Sequence, residues 1–384
     1  MPTARFPAVA VQAAEHGLTL VRAHPRPDRL HLDLTDADGR RVIGQWLVDA
    51  AVAEDVAEAT DAVGPDLVRL LGNHLVTQER GADRRLRTLA PLVAAGAELV
   101  VHRPERRAVV RTRGPRSSSV GGERAGESPP SPPPPDVVYS KVVRPRRTAD
   151  LVRRMEQAAA VPGLHVPRVT AVDEDAGTIR MSTLPGRTLH DLLTEGVADA
   201  ARAIGVAVRT LHSAGDVDGV PTHDLAAEVA TTRGLLDLTG AHHALGARDL
   251  DALERDLARA VSTVAQAGSV DQPGLLHRDL HDKQLLVDGE SVGILDVDTL
   301  GVGDPALDLG NLLAHLDLRV QQGWTTPATA AAVEGEVLAG YGPSARTRAA
   351  AAGYRALTHV RLHALYAFRP GDAPASTGEG STVG

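Results

Sequence analysis

The chain has 384 residues, a net charge of −8, a pI of about 6.0, no cysteine and only 2% aromatic residues. The acidic balance argues against general nucleic-acid binding, and the lack of cysteine removes disulfides, thiolate metal sites and thiol nucleophiles. No apolar run approaches the roughly 20 residues of a membrane span, and the N-terminal Ala/Val run is broken by Gln12 and Glu15, which makes a poor signal peptide. The expectation is a soluble, cytoplasmic protein with no membrane partner, of roughly two or three domains at about 150 residues each.

In chain order, Leu30, Leu32 and Leu34 alternate with His31 and Asp33, the period of a half-buried strand. Asp38-Gly39 and an apolar run over 42–48 complete a predicted hairpin. Helices are expected over 53–63 and 82–95. Trp46 and His74 read as packing and surface positions, and residues 1–95 carry no catalytic constellation. From Ala97 the pattern turns to strands: 98–102 and 108–111 flank the turn Arg103-Pro104-Glu105-Arg106. Residues 114–135 are rich in Ser, Gly and Pro and cannot bury enough apolar area to offset ordering entropy. Strand-like sequence resumes at Val137, so this stretch reads as a disordered insertion between two strands, with Pro132 to Pro135 a stiff spacer. The strand over 137–143 alternates around a lone Lys141. A helix follows over 148–160, with Thr148 as its N-cap and Glu156 along it. A hairpin over 169–172 and 178–181 leads to a break at Pro185-Gly186. Helical stripes follow at Ile204, Val208 and Leu211, and at Leu250, Leu253, Leu257, Val261 and Val264. His212 is placed at the surface.

The richest stretch runs from Leu275 to Asn311. It contains His277-Arg278-Asp279, Gln284 five residues after the aspartate, and two apolar runs joined at Asp288-Gly289. The second run delivers Asp296 and Asp298. A hairpin here would hold Asp279 and Gln284 near Asp296 and Asp298. Two carboxylates beside a carboxamide supply hard oxygen ligands for Mg²⁺, and one carboxylate is left to orient a hydroxyl. Asp298 lies two residues beyond Asp296, so on a strand both would point the same way. It would then join the metal site or face an acceptor pocket. Asp304-Pro305 starts a helix whose inner face carries Leu309, Leu312, Leu313 and Leu316. Two more helices are expected over 327–341 and 344–368, then a disordered tail over 371–384.

This stretch resembles the catalytic and metal-binding segment of the aminoglycoside phosphotransferase family, small-molecule kinases with a protein-kinase-like fold. The triplet His277-Arg278-Asp279 also matches the H-R-D of protein kinases. The family usually has Asn where Gln284 stands; maltokinases, which are related sugar kinases, carry Gln there. The resemblance implies that Asp279 contacts the acceptor hydroxyl and that Gln284 and Asp296 hold Mg²⁺, with Asp298 a third metal candidate on its spacing. It implies that Lys141 reaches the nucleotide phosphates, held by Glu156, and that 181–186 is the hinge between lobes. Asp308 matches a D-P-x-x-D pattern and is expected as a buried carboxylate accepting backbone N–H bonds. A glycine-rich loop is missing, which leaves Arg103, Arg106 and Arg107 as candidate phosphate anchors.

The expected fold is α+β, a bilobal protein-kinase-like structure with a small N-terminal α/β extension resembling the cap of some maltokinases. Its parts are 1–95 (extension), 96–186 (β-rich N-lobe) and 187–370 (helical C-lobe). The expected function is transfer of the γ-phosphate of ATP or GTP to a hydroxyl of a sugar, aminoglycoside or related metabolite, with nucleotide and a small hydroxylated molecule as the partners. Two rival readings remain. One is a catalytically weak nucleotide-binding or regulatory relative. The other is a metal-dependent hydrolase using the H-x-D-x-H spacing of His277, Asp279 and His281.

Overall fold

Leu30, Leu32 and Leu34 share one strand face and are buried, as their alternation predicts. In the computed structural model, which describes residues 6–113, 137–195, 199–215, 217–270 and 272–370, this strand is an inner strand of a first sheet. The elements are α1 (Phe6–Glu15), β1 (Thr19–Arg26), β2 (Arg29–Thr35), β3 (Arg41–Leu47), α2 (Ala50–Asp61), β4 (Val68–Leu71) and β5 (Leu75–Gln78). The five strands are antiparallel in the order β1-β2-β3-β5-β4. The half-buried expectation for β2 is corrected: His31 and Asp33 on its other face are only 4% and 5% exposed. That face turns toward the next lobe, to which Arg29 bonds at Glu105 (3.2 Å) and Arg41 at the Val100 carbonyl (3.1 Å). Far along the chain, the His242 carbonyl accepts from the Phe6 N–H and the Phe368 carbonyl from the Ala23 N–H, both at 2.8 Å.

The helix expected over 82–95 shortens to α3 (Leu89–Ala94). Asp83 accepts the N–H groups of Arg85, Leu86 and Glu105, so a side chain takes bonds that a helix would need. The second sheet contains β6 (Glu98–Arg103), β7 (Arg107–Arg113) and β8 (Val137–Val143), with α4 (Thr148–Ala159) before β9 (Val169–Asp173) and β10 (Thr178–Met181). Its order is β6-β7-β8-β10-β9, which sets Lys141 on the middle strand opposite Val109 and Ile179. The expected insertion at 114–135 lies outside the described residues, as does the tail at 371–384. Thr148 is the first residue of α4 rather than its cap; Arg147 holds the cap position and no side chain caps the helix.

Past the second sheet come β11 (Arg187–Thr188), α5 (Leu189–Leu192), α6 (Asp199–His212), β12 (Thr222–His223), α7 (Leu225–Ala241) and α8 (Ala247–Gln266). β13 (Gly274–Leu276), β14 (Leu285–Asp288), β15 (Ser291–Ile294) and β16 (Gly301–Gly303) follow, then α9 (Ala306–Gln321), α10 (Pro327–Tyr341) and α11 (Ala345–Tyr366). β14 and β15 form the expected hairpin, although Asp288 pairs with Ser291 and the two-residue turn is Gly289-Glu290. α6 and α10 cross so closely that a Cβ at Gly340 would lie 2.0 Å from the Arg202 carbonyl oxygen. None of the helices among the described residues is long and apolar enough to cross a membrane.

Asp308 near the start of α9 ties this lobe to the loop after β13. It is fully buried and accepts the backbone N–H groups of His277 and Arg278, each at 2.7 Å. His212 also meets it at 3.1 Å and is itself bonded to the Tyr341 hydroxyl at 2.9 Å, so the surface position expected for His212 is corrected. Burial alone would raise the Asp308 carboxyl, but His212, His277 and the N–H bond outweigh it and hold it below the usual range.

Asp308→Ala would orphan two buried N–H groups and a histidine. At about 1–3 kcal/mol per orphaned buried group, urea titration should show a loss of about 3 kcal/mol or more. Asp317 on α9 gives a pH dependence of known sign. Burial would raise its carboxyl, but bonds from Arg355 and His359 bring it down to about 2. Its stabilisation is therefore present above the ordinary carboxyl pKa of about 3.9 and lost as pH falls toward about 2. Asp317→Asn should make the acid-unfolding limb shallower.

Candidate active site

The open end of the β14–β15 hairpin sets the geometry. The Leu295 N–H donates to the Gln284 carbonyl at 2.8 Å, which aligns Gln284 beside the residue preceding Asp296. Asp296 then turns into the left-handed region (φ 56, ψ 49), and residues 297–299 make one 3₁₀ turn. A non-glycine residue pays about 1–3 kcal/mol for such a conformation, so surrounding contacts must hold it there. Asp296 and Asp298 thus converge through a bend and a turn, not by sharing a strand face as the spacing suggested.

What they converge on comes from the other sheet. Lys141 Nζ on β8 lies 2.8 Å from Asp296 Oδ1 and also donates to Asp298 Oδ1. Arg107, at the start of β7, donates to Asp298 Oδ2 at 3.0 Å and to both Asp296 oxygens at 3.3 Å. Two cations and two carboxylates form a neutral cluster between the lobes. Lys141 and Asp298 are buried, while Arg107 keeps 39% of its side chain exposed. Burial alone would raise the Asp296 carboxyl, but Lys141 and Arg107 outweigh it and hold it well below the usual range. Burial would likewise lower the Lys141 ammonium, and the same carboxylates reverse that and raise it.

Asp279 lies exposed beside this cluster, and its field helps to keep Arg107 protonated. The loop carrying it is anchored on both sides: His277 meets the Leu295 carbonyl at 2.7 Å, and Asn311 donates to the Leu280 carbonyl at 2.9 Å. The Gln284 side-chain nitrogen lies 3.4 Å from His281 Nε2, and the side-chain oxygen Oε1 has no hydrogen bond to any described residue. Glu156 is not brought to Lys141. It is exposed, so the expected lysine–glutamate pair is corrected. The buried stripe of α4 is Leu151, Met155 and Ala158, and on that period Arg154 faces inward where Glu156 cannot. Arg154 indeed donates to the Asp298 carbonyl at 3.1 Å. The sequence reading missed Arg154 and gave Arg107 only a phosphate-anchoring role; the helical period was the available signal for the first.

The H-x-D-x-H metal centre does not assemble. His277 spends one ring nitrogen on the Leu295 carbonyl and the other on the Asp279 N–H (3.3 Å). Another histidine-rich group, His281, Asp282 and His315, does draw together among the described residues. However, Arg319 clasps both Asp282 oxygens at 2.8 and 3.1 Å, and His190 meets one at 2.6 Å, so a guanidinium already fills the place of a cation.

The profile of the phosphotransferase enzyme family matches residues 100–354. Among solved structures, an aminoglycoside phosphotransferase of Streptomyces rimosus superposes with a TM-score of 0.45 at 21% identity, covering 70% of this chain and 96% of that one. A choline/ethanolamine kinase family protein of Mesorhizobium loti gives 0.45 at 21% identity, over 72% and 81%. A macrolide 2′-phosphotransferase of Brachybacterium faecium gives 0.36 at 16% identity, over 95% and 98%. No curated protein sequence matches the chain. With the family profile spanning more than half of its length, the chain belongs to the phosphotransferase enzyme family.

Proposed function

We propose that the chain is a small-molecule kinase that transfers the γ-phosphate of ATP or GTP to a hydroxyl of a sugar, aminoglycoside or related metabolite. The observation that carries this reading is the meeting of Lys141 with Asp296 and Asp298 between two lobes, with Asp279 exposed beside them. In this reading residues 1–95 are a cap, 96–186 the N-lobe and 187–370 the C-lobe. Asp279 accepts the proton of the acceptor hydroxyl and orients its oxygen for attack. Lys141 grips the nucleotide phosphates; Asp296 and Asp298 keep it charged against its burial, and burial keeps it fixed. Phosphoryl transfer needs little covalent chemistry from a protein, so positioning and charge supply most of the rate.

The donor set fits Mg²⁺ or another hard divalent cation: the carboxylates of Asp296 and Asp298 and the unbonded oxygen of Gln284. When bound, such an ion neutralises charge on the phosphate oxygens. Arg107 now occupies the same carboxylates and must let go first, which its partial exposure permits. Once free, it is placed to meet the phosphates in the absence of a glycine-rich loop.

That same contact favours a second reading. A protein whose metal carboxylates stay neutralised by Arg107 would bind nucleotide weakly and act as a regulator. A phosphate-transfer screen of amino sugars, neutral sugars and amino alcohols with ATP and GTP decides between them. A proton acceptor of this kind is worth about 10²–10⁴-fold in rate, and Asp279→Asn should lose that much. Turnover unchanged in Asp279→Asn would sink the kinase reading and leave the regulatory one.

A further inference from the structure

Between the first sheet, the β6–β7 turn and the start of α4 lies a chamber of about 760 Å³. Eight arginines line it against three carboxylates, in a chain whose net charge is −8. Some of this charge is spoken for: Arg29 is held by Asp28 and Glu105, Arg107 by Asp296 and Asp298. Arg26, Arg103, Arg106, Arg146 and Arg147 make no ion pair with any described residue. One guanidinium nitrogen of Arg103 is buried without a hydrogen-bond partner, and burial pushes this group down to about 10. His31, 4% exposed, also lines the chamber with its Nδ1 unpartnered.

The local electrostatics favour an anion. Arg146 and Arg147 sit at the N-terminal end of the twelve-residue α4, where the helix dipole is already positive and cations are disfavoured. No side chain caps that end. Clustered guanidiniums, one of them with a buried unpartnered nitrogen, and a buried histidine nitrogen without a partner are groups that a tetrahedral oxyanion would satisfy together. The volume falls in the range of small-molecule sites. Lys141, Asp279, Gln284 and Asp296 are not among the lining residues, so the chamber lies beside the transfer site rather than in it. Arg107 and Asp298 belong to both.

We infer that this chamber is a second anion site, which takes the phosphate group of a small molecule other than the transferred nucleotide. An anion there competes with Asp296 and Asp298 for Arg107, so its occupancy is coupled to release of the metal carboxylates. The inference stands apart from the kinase reading, in which ADP enters only as a competitor.

The test is calorimetric titration of the full chain with orthophosphate, and separately with glucose 6-phosphate, in chloride buffer at low ionic strength. Each titration is repeated with saturating Mg²⁺ and ADP. Binding near one equivalent that persists with ADP is expected, and whichever anion binds tighter identifies the source. The double variant Arg146→Ala/Arg147→Ala removes two exposed side chains. It should weaken the anion about tenfold or more while ADP affinity stays within about twofold. Arg106→Ala, on the opposite wall, should weaken it too. No anion binding by the parent chain, one-for-one displacement by ADP, or variants that bind like the parent would overturn the inference. Should both ADP and GDP fail to bind, the kinase reading falls, and orthophosphate on the variants still decides the chamber.

Discussion

Lys141, buried on the middle strand of one sheet, is stable there only because Asp296 and Asp298 reach it from the other lobe. A buried ammonium without partners would shed its proton, and two adjacent carboxylates without cations would take one up. Each half of the cluster therefore requires the other, and the two lobes are registered by a charge pairing as well as by apolar burial. Asp296 accepts an unfavourable backbone conformation to make that pairing, which shows where the fold spends its stability.

Arg107 adds a second layer. A guanidinium that bridges the same two carboxylates balances the cluster at zero net charge without any ion. It is the more exposed of the two cations, with Lys141 buried beneath it. Arg107 also forms one wall of the basic chamber, so the charge cluster and the chamber share a side chain. The first sheet matters here because its β1–β2 hairpin closes the chamber with Arg26, Arg29 and His31, which gives that unit a physical place in the site it covers.

Behind the cluster, Asp308 performs a different task with the same residue type. Fully buried and bonded to two backbone N–H groups, it fixes the loop that presents Asp279. Asp279 is exposed, Asp296 is salt-bridged and Asp308 is sealed in the core. Their environments, not their identities, separate them.

Strand and helix positions were largely legible from local pattern, because alternation and the three-to-four-residue stripe are set by which side chains must leave water. The β14–β15 hairpin, β8 and the stripes of α6 and α8 follow from it. The candidates Asp279, Gln284, Asp296 and Asp298 stood out by residue type and spacing, and Lys141 by the family resemblance; of these the structure brings Lys141, Asp296 and Asp298 into contact. Three things were not. The wet face assigned to His31 and Asp33 lies under another lobe, and only packing decides that. Glu156 reads as the partner of Lys141 until the buried stripe of α4 turns it outward and Arg154 inward. The hold of Arg107 on Asp296 and Asp298 joins residues 189 and 191 positions apart, and no local pattern encodes a contact across that separation. Sequence alone determined which charged and polar groups were candidates; the tertiary structure decided which of them meet, because charge pairing across lobes depends on distance in space.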